Sequence, residues 1–230
     1  MLSLLADIGR YSLRLAPVLI AFGIVIDLLW QWVGHFVFIG QMLGLILVSY
    51  LAHRVVLFDL RFTKWGKLEA PQGIAVPPEA MGRFLVVSLV ELFAVLIVVF
   101  FVVAVFSEIM PNLNVLFWVS TISMSMGSWV FLTFLGTLYP AAASHEFPSF
   151  GRALSAGRKT SSSVAWQLLL LPVLYGFAVT TVIRSGIPSV LSTELWDPVS
   201  IAFDALLIAA ESVQQVMIAV ILTRAYRQAW

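Results

Sequence analysis

The sequence predicts an all-α polytopic integral membrane protein, a bundle of about six transmembrane helices with N- and C-termini cytoplasmic. Of the 230 residues, 61% are hydrophobic and 11% are charged, and the mean hydropathy is +1.01, which is unlike a soluble domain. Apolar runs of about 20 residues recur along the chain, the length that spans a bilayer. The 13 Lys and Arg residues gather on alternate connections. The chain is therefore predicted to be a single transmembrane domain, residues 1–230.

The first predicted element is a short amphipathic stretch, residues 1–14. Asp7 and Arg10 fall on one helical stripe, and Leu4 and Ile8 fall on the opposite side. We expect this stretch to lie at the membrane interface before the chain turns into the first span. Six apolar segments follow, joined by short outer turns and long inner loops. The predicted spans are residues 13–32, 36–57, 84–106, 115–139, 164–183 and 201–223.

Two long connections between the predicted spans have the composition of loops. The first, residues 58–83, is punctuated by Pro and Gly. The second, residues 140–163, contains a predicted interfacial helix from Pro148 to Thr160. Pro172 falls near the middle of the fifth span, where it marks either a kink or an ordinary tolerated membrane proline.

Orientation follows from the distribution of Lys and Arg. All of these residues except Arg184 lie before or at the start of the first span, in or beside the two long loops, or after the last span. The positive-inside rule then places both termini in the cytoplasm. The short loops and single compact domain are typical of a bacterial inner-membrane, multi-pass protein.

Five polar groups inside the spans form a candidate intramembrane polar or proton site. Asp204, Glu211 and Gln215 share one face of the last span, because seven residues at about 100° each return to nearly the same angle. Asp27 and Glu91 also lie inside spans, with no Lys or Arg at comparable depth. A carboxylate at the bilayer centre costs roughly 2.5–3.5 kcal/mol on insertion scales, so these groups should face other helices or water. The other interpretation is structural, with protonated acids joining helices through hydrogen bonds.

The basic inner loops set the topology and are also candidate sites for anionic lipid headgroups. Each cationic residue near an anionic surface contributes about 1 kcal/mol. The candidate headgroup contacts are Arg61, Lys64, Lys67, Arg152, Arg158 and Lys159.

No residue pattern indicates catalysis. The chain contains no cysteine, and it lacks HExxH, GxSxG and glycine-rich phosphate loops. His35, His53 and His145 are interpreted as histidines at the membrane interface that do not bind a metal or haem. Ser144 and Glu146 flank His145, but a catalytic triad is recognised by spatial geometry and not by adjacency along the chain. We therefore predict no enzyme activity, no cofactor, no metal and no nucleic-acid partner.

Two segments near the end of the chain carry a family resemblance. They are residues 150–154 (FGRAL), ahead of the fifth span, and residues 221–227 (ILTRAYR), at the end of the sixth. The chain resembles the YciC-like six-span bacterial inner-membrane proteins and the related membrane domain attached to some glycerophosphodiester phosphodiesterases. The resemblance covers about the last third of the chain, which departs from that group by the acids in span six. It implies a non-catalytic inner-membrane protein and supplies no site residues.

Two functions follow as hypotheses. The first is a non-enzymatic inner-membrane accessory, assembly or binding factor, whose partners are bilayer lipids, a membrane protein or a second copy of the chain. The second is a small proton- or cation-linked transporter or channel that uses the intramembrane acids. Convergence of the four acids and Gln215 on one water-accessible cavity would favour the second hypothesis, and scattered acids would favour the first.

Overall fold

A computed structural model describes residues 1–33, 37–63, 68–71, 81–110, 112–144, 146, 149–186 and 198–229. Several predicted features lie outside these residues: His35, His145, Lys64, Lys67 and most of the last outer loop. The elements are α1 (Leu2–Val33), α2 (Val37–Phe58), β1 (Arg61–Phe62), β2 (Leu68–Glu69), α3 (Met81–Ile109), α4 (Leu113–Leu135), α5 (Leu138–Ala143), α6 (Phe150–Leu168), a π-helical turn (Leu169–Val173), α7 (Leu174–Gly186) and α8 (Pro198–Ala229).

Six helical stretches are long and apolar enough to cross a membrane. The prediction of an all-α chain with about six such helices is confirmed within the described residues. Their outward surfaces are apolar, as for Phe93 and Phe100 of α3, which are 62% and 70% exposed. The six stretches are Leu2–Leu29, Gly40–Phe58, Met81–Ile109, Leu113–Leu135, Phe150–Val179 and Ile208–Ala229.

The N-terminal region is one continuous helix, α1, and the prediction of a separate interfacial lead-in is wrong. Leu4, Ile8, Leu15 and Leu19 are all buried, so the apolar stripe of the first 14 residues continues in register through the rest of the helix. Pro17 lies inside α1 without ending it. This stripe packs along α8, which explains why the first turns stay with the bundle.

Helices α1 and α8 pack antiparallel along each other, and α8 also contacts α2, α5, α6 and α7. Near one end, Arg224 donates to the backbone oxygen of Ser3 at 2.9 Å and to Asp7 at 2.5 Å. Farther along, Gly23 lies directly against the backbone of Ala205, where a Cβ would not fit. These contacts place the first turns of α1 and the last turns of α8 at the same end of the bundle.

The fifth predicted span and its predicted interfacial helix form one helix, so the separate helix from Pro148 to Thr160 is wrong. Helix α6 begins at Phe150 and continues through the π-helical turn into α7 without a break. At 1.5 Å per residue the combined helix is about 55 Å long, against a hydrocarbon core of about 30 Å. We expect its polar first turns to project beyond the hydrocarbon.

The fourth predicted span ends earlier than residue 139. Helix α4 ends at Leu135, and after the Gly136–Thr137 turn the chain forms the short helix α5. All six residues of α5 are buried, and they pack against α2, α3 and α8. The break carries Tyr139 away from the end of a span and into the interior of the bundle.

The C-terminus of α2 is closed by a Schellman motif. Asp59 takes a positive φ of 51°, and the Leu60 N–H donates to the Val55 oxygen at 3.1 Å, the 6→1 bond of that motif. Arg227 of α8 donates to two further carbonyls of the last turn, at 3.2 and 2.8 Å. The end of α2 is thereby fixed to the end of α8.

The Asp59 side chain adds an ionic network to this cap. Arg14 pairs with it at 2.5 Å, Arg61 pairs with it at 3.5 Å, and the Tyr11 hydroxyl donates to it at 3.2 Å. Partial burial pushes the pKa of Asp59 up, but the hydrogen bond and charge of Arg14, with the hydrogen bonds from Tyr11 and Arg61, outweigh it. The pKa of Asp59 therefore lies below its ordinary value of 3.8.

Candidate functional site

A cavity of about 790 Å³ lies among α2, α3, α4, the combined α6–α7 helix and α8. Its lining changes character along its length. Towards the starts of α2 and α4 most of the lining side chains are apolar, although Thr121 and Ser125 also contribute, and towards their ends polar side chains are more frequent. The apolar part includes Met42, Leu45, Ile46, Trp118, Ile122 and Phe177; the polar part includes Ser49, His53, Ser88, Glu91, Ser128 and Tyr139.

Glu91 is the centre of the polar end. The Tyr139 hydroxyl donates to Glu91 Oε2, and the Ser128 hydroxyl is also hydrogen-bonded to Glu91. The Ser88 hydroxyl lies within hydrogen-bonding reach of both Tyr139 and the Phe84 backbone oxygen, which is 3.1 Å away, and its single proton serves one of these two acceptors at a time. This network joins α3, α4 and α5, so the carboxyl group is held in one position and accepts from two hydroxyls.

His53 is completely buried beside this network, at 0% exposure. Its Nδ1 lies 2.9 Å from the Ser49 backbone oxygen. Its ring stacks on Tyr139, with centroids 5.6 Å apart and 26° between the planes, and it meets the edge of Phe84 at 5.3 Å. Its Nε2 has no hydrogen-bond partner among the described residues. The predicted interface location of His53 is wrong, because α5 packs over this end of α2.

The π-helical turn forms part of the cavity wall. Pro172 and Val173 line the cavity; since proline has no backbone N–H, the wider turn accommodates the missing helical bond. Just before the turn, the Trp129 indole donates to the Ala165 oxygen at 2.9 Å. Just after it, the Tyr175 hydroxyl donates to a carbonyl of α8 at 2.8 Å. These two bonds hold the bulged helix against α4 on one side and α8 on the other.

The sequence-predicted polar groups do not all meet at this cavity. Glu91 and Gln215 line it. Asp27 is buried, at 6% exposure, and Glu211 is partly buried, but neither belongs to the lining. Asp204 lies in α8, and its side chain is outside the described residues.

The predicted headgroup contacts lie away from the cavity. Arg61, Arg152, Arg158 and Lys159 are exposed, and Arg61 also pairs with Asp59. None of these four lines the cavity. Their binding to anionic lipids stays a prediction, as does that of Lys64 and Lys67, which lie outside the described residues.

Sequence reasoning missed most of the polar end. Ser88 and Glu91 are three residues apart in an otherwise apolar run, a spacing that places them on one face of α3. This spacing could have identified Ser88 as a neighbour of Glu91. Ser128 was visible only as one of several small residues in the fourth span. Tyr139 and His53 gave no signal, because their burial depends on the break between α4 and α5.

Neither a metal-binding group nor similarity to a known protein assigns a function to the cavity. Across the ranges that the structure describes, no group of three or more His, Cys, Asp or Glu residues is placed to hold a metal ion. Comparisons with protein-family models, curated proteins and solved structures found no match to this chain. The resemblance to the YciC-like proteins stays a prediction.

Proposed function

We propose that this chain is a non-enzymatic, multi-pass membrane protein that binds an amphipathic lipid in the cavity and serves as an accessory or assembly factor. The observation that carries the proposal is a cavity with a polar end and an apolar remainder, which matches the two parts of a lipid. The proposal places the protein in a bacterial inner membrane, with both termini cytoplasmic, on the charge distribution of its connections.

The size and lining of the cavity suit such a ligand. Small-molecule sites are commonly 300–1,000 Å³, largely apolar, with a few placed polar groups, and about 790 Å³ falls within that range. Met42, Met124 and Met126 contribute to the lining, and their flexible thioether side chains can adjust to an irregular hydrocarbon chain.

The cavity is accessible from the side of the bundle. Helix α4 packs closely on α6 but barely touches α7. Trp118 of α4 and Phe177 of α7 both line the cavity and are 45% and 60% exposed. A lipid could therefore enter between α4 and α7 from the hydrocarbon phase without crossing the headgroup region.

The positions of the acids support binding over transport. A shared pathway for protons or cations would draw support from acids that meet in one cavity. Asp27 and Glu211 are outside the lining, and Glu91 is the one acid among the described residues that line the cavity. Movement of protons or cations across liposomes by the purified protein alone would overturn the accessory role, and an unchanged flux in Glu91→Gln would remove that acid from the pathway.

Native mass spectrometry after gentle extraction tests the proposal. Ser125 lines the cavity, so Ser125→Trp should place a large side chain in it and obstruct a bound chain. Val130 lies on the same helix, is 46% exposed and is outside the lining, so Val130→Trp is the matched control. We expect a stoichiometric amphiphile on the wild type and on the control, and its loss from Ser125→Trp. Wild-type protein without any bound amphiphile, or equal retention by all three proteins, would contradict the proposal.

A further inference from the structure

We infer that the cavity selects amphiphiles whose polar end donates hydrogen bonds and carries no negative charge, such as a long-chain alcohol or amine. This inference rests on the proposed function and specifies the ligand of the same cavity. It is carried by the unpartnered Nε2 of His53 and by the carboxyl group of Glu91, which both belong to the polar end.

The hydrogen bonding of His53 fixes what its second nitrogen can do. The Ser49 carbonyl oxygen can only accept, so the 2.9 Å contact requires a proton on Nδ1. In the neutral ring Nε2 is then an acceptor. A buried acceptor without a partner is unfavourable. Because Nε2 is covered by protein, a ligand hydroxyl or ammonium group would satisfy it by displacing the side chains that separate it from the cavity.

Glu91 also favours a ligand group that donates hydrogen bonds. Its carboxyl group accepts from the Tyr139 hydroxyl and is hydrogen-bonded by Ser128. Each carboxylate oxygen has capacity for a further donor, so a ligand hydroxyl or ammonium could add a bond without displacing either partner.

The charge of the lining opposes an anionic head. Within the part of the chain that the structure describes, the residues that line the cavity include one acid, Glu91, and no Lys or Arg. A phosphate or carboxylate head would meet no cation there, and it would lie near a carboxyl group in a poorly solvated space, which is unfavourable. The basic residues that could bind anionic heads lie on exposed surfaces instead. Anionic lipids are therefore expected at the protein surface and not in the cavity.

Two substitutions of His53 separate the role of Nε2 from that of the whole ring. His53→Asn can keep a donor to the Ser49 oxygen but loses the distal acceptor, and His53→Gln can place an amide oxygen near the position of Nε2. Glu91→Gln removes the charge while keeping an acceptor. Since these variants lie in a buried cluster, each is first checked for a wild-type thermal transition in detergent.

The experiment is a competition measured by native mass spectrometry. Delipidated full-length protein is offered equal amounts of four probes that share one hexadecyl chain: the alcohol, the amine, the phosphate and the carboxylate. We expect alcohol and amine complexes to exceed phosphate and carboxylate complexes about tenfold, since one hydrogen bond to a buried polar group contributes about 1.4 kcal/mol. We also expect His53→Asn to lose about tenfold in alcohol binding, His53→Gln to lose less, and Glu91→Gln to weaken the amine more than the alcohol.

The outcomes distinguish the inference from the proposed function. Binding of phosphate or carboxylate equal to that of alcohol and amine would overturn the inference and leave the lipid-binding proposal standing. Unchanged alcohol binding in His53→Asn would overturn the role of Nε2. If no probe bound the wild type while Ser125→Trp behaved identically, the proposed function itself would fail.

Discussion

Tyr139 and Glu91 connect elements that are far apart in the chain. Tyr139 lies on α5 and Glu91 on α3, 48 residues apart, and the His53 ring of α2 stacks on Tyr139. The sequence identified Glu91 as a polar group within a span, but it placed Tyr139 at the last position of the fourth predicted span. That difference has a physical cause, because only the tight turn after α4 turns the tyrosine inward.

A double-mutant cycle tests this contact. Tyr139→Phe removes the donor to Glu91, so we expect the free energy of unfolding to fall by about 1–3 kcal/mol. Combined with Glu91→Gln, the two changes should show a coupling energy of about 0.5–3 kcal/mol. The control is Tyr175→Phe, which removes a hydroxyl that donates to a backbone carbonyl of α8 and should be additive with Glu91→Gln. Additivity of the Tyr139 and Glu91 substitutions would contradict the network.

A second residue-scale prediction concerns pH and the Arg14–Asp59 pair. Because the pKa of folded Asp59 is lowered from 3.8, its stabilising contribution is present above that value and is lost as pH falls through the lower, folded pKa. Asn tolerates the positive φ at this position, so Asp59→Asn keeps the turn and removes the charge. We expect the wild type to be more stable at pH 6 by up to about 1 kcal/mol.

The comparison is made on thermal unfolding in detergent between pH 6 and pH 3. The difference between wild type and Asp59→Asn should shrink as the pH falls below 3.8, since protonated Asp59 no longer pairs with Arg14. A difference that is constant over this range would show that the ion pair contributes nothing to stability.

At the element scale, the α4–α6 contact depends on a glycine. Gly157 of α6 lies against the backbone of Phe134, and a Cβ there would collide with it, whereas a Cβ at Gly151 of the same helix would meet nothing within 4 Å. Small residues at helix–helix contacts let backbones approach closely in membrane proteins. The close approach places α6 and the π-helical turn against the cavity.

Alanine substitution at the two glycines separates packing from helix propensity. Gly151→Ala should leave the protein unchanged or stabilise it by up to about 1 kcal/mol, because alanine loses less backbone entropy in a helix. Gly157→Ala should destabilise by roughly 1–3 kcal/mol through overpacking. Chemical unfolding in mixed micelles measures both. Equal effects at the two positions would mean that α4 and α6 do not pack as described.

The sequence patterns predicted the presence of the helices better than their boundaries and connections. The apolar runs predicted six helices of spanning length, because hydropathy directly reflects the requirement that lipid-exposed helices be apolar. The patterns did not predict that α1 is continuous, that the helix of the fifth span already begins at Phe150, or that α5 is buried. Each of these depends on contacts with a distant helix, such as the packing of α1 along α8.

The same reasoning explains what could be predicted of the cavity. Polar residues inside apolar runs identified Glu91 and Gln215 as candidates, and both line the cavity. The same criterion selected Asp27 and Glu211, which do not. A polar side chain inside a span must be kept away from the lipid. Whether it lies in a cavity or in a closed helix–helix contact depends on how the helices pack.

For the whole molecule, the bundle has one strongly basic end. The ends of α2 and α8 meet there through Arg227, and the first turn of α1 joins them through Arg224. The positive-inside rule predicts that this end faces the cytoplasm.

Cysteine labelling tests the orientation without background, since the chain contains no cysteine. Leu113, at the start of α4, is 83% exposed, and Ser155 is an exposed residue of α6 near the basic end. In intact bacterial cells a membrane-impermeant maleimide should label Leu113→Cys at once and Ser155→Cys only after the inner membrane is permeabilised. The reverse pattern would invert the predicted topology.

Photolabelling in liposomes tests whether the cavity holds the hydrocarbon chain of an amphiphile. Two probes carry a diazirine in the hydrocarbon chain, one ending in an alcohol and the other in a phosphate. We expect at least one to label cavity-lining residues such as Met42, Trp118 and Phe177 in wild type and in Val130→Trp, and much less in Ser125→Trp. Labelling spread over the outward face of α3, around Phe93 and Phe100, in proportion to exposure and unchanged in Ser125→Trp, would contradict the account.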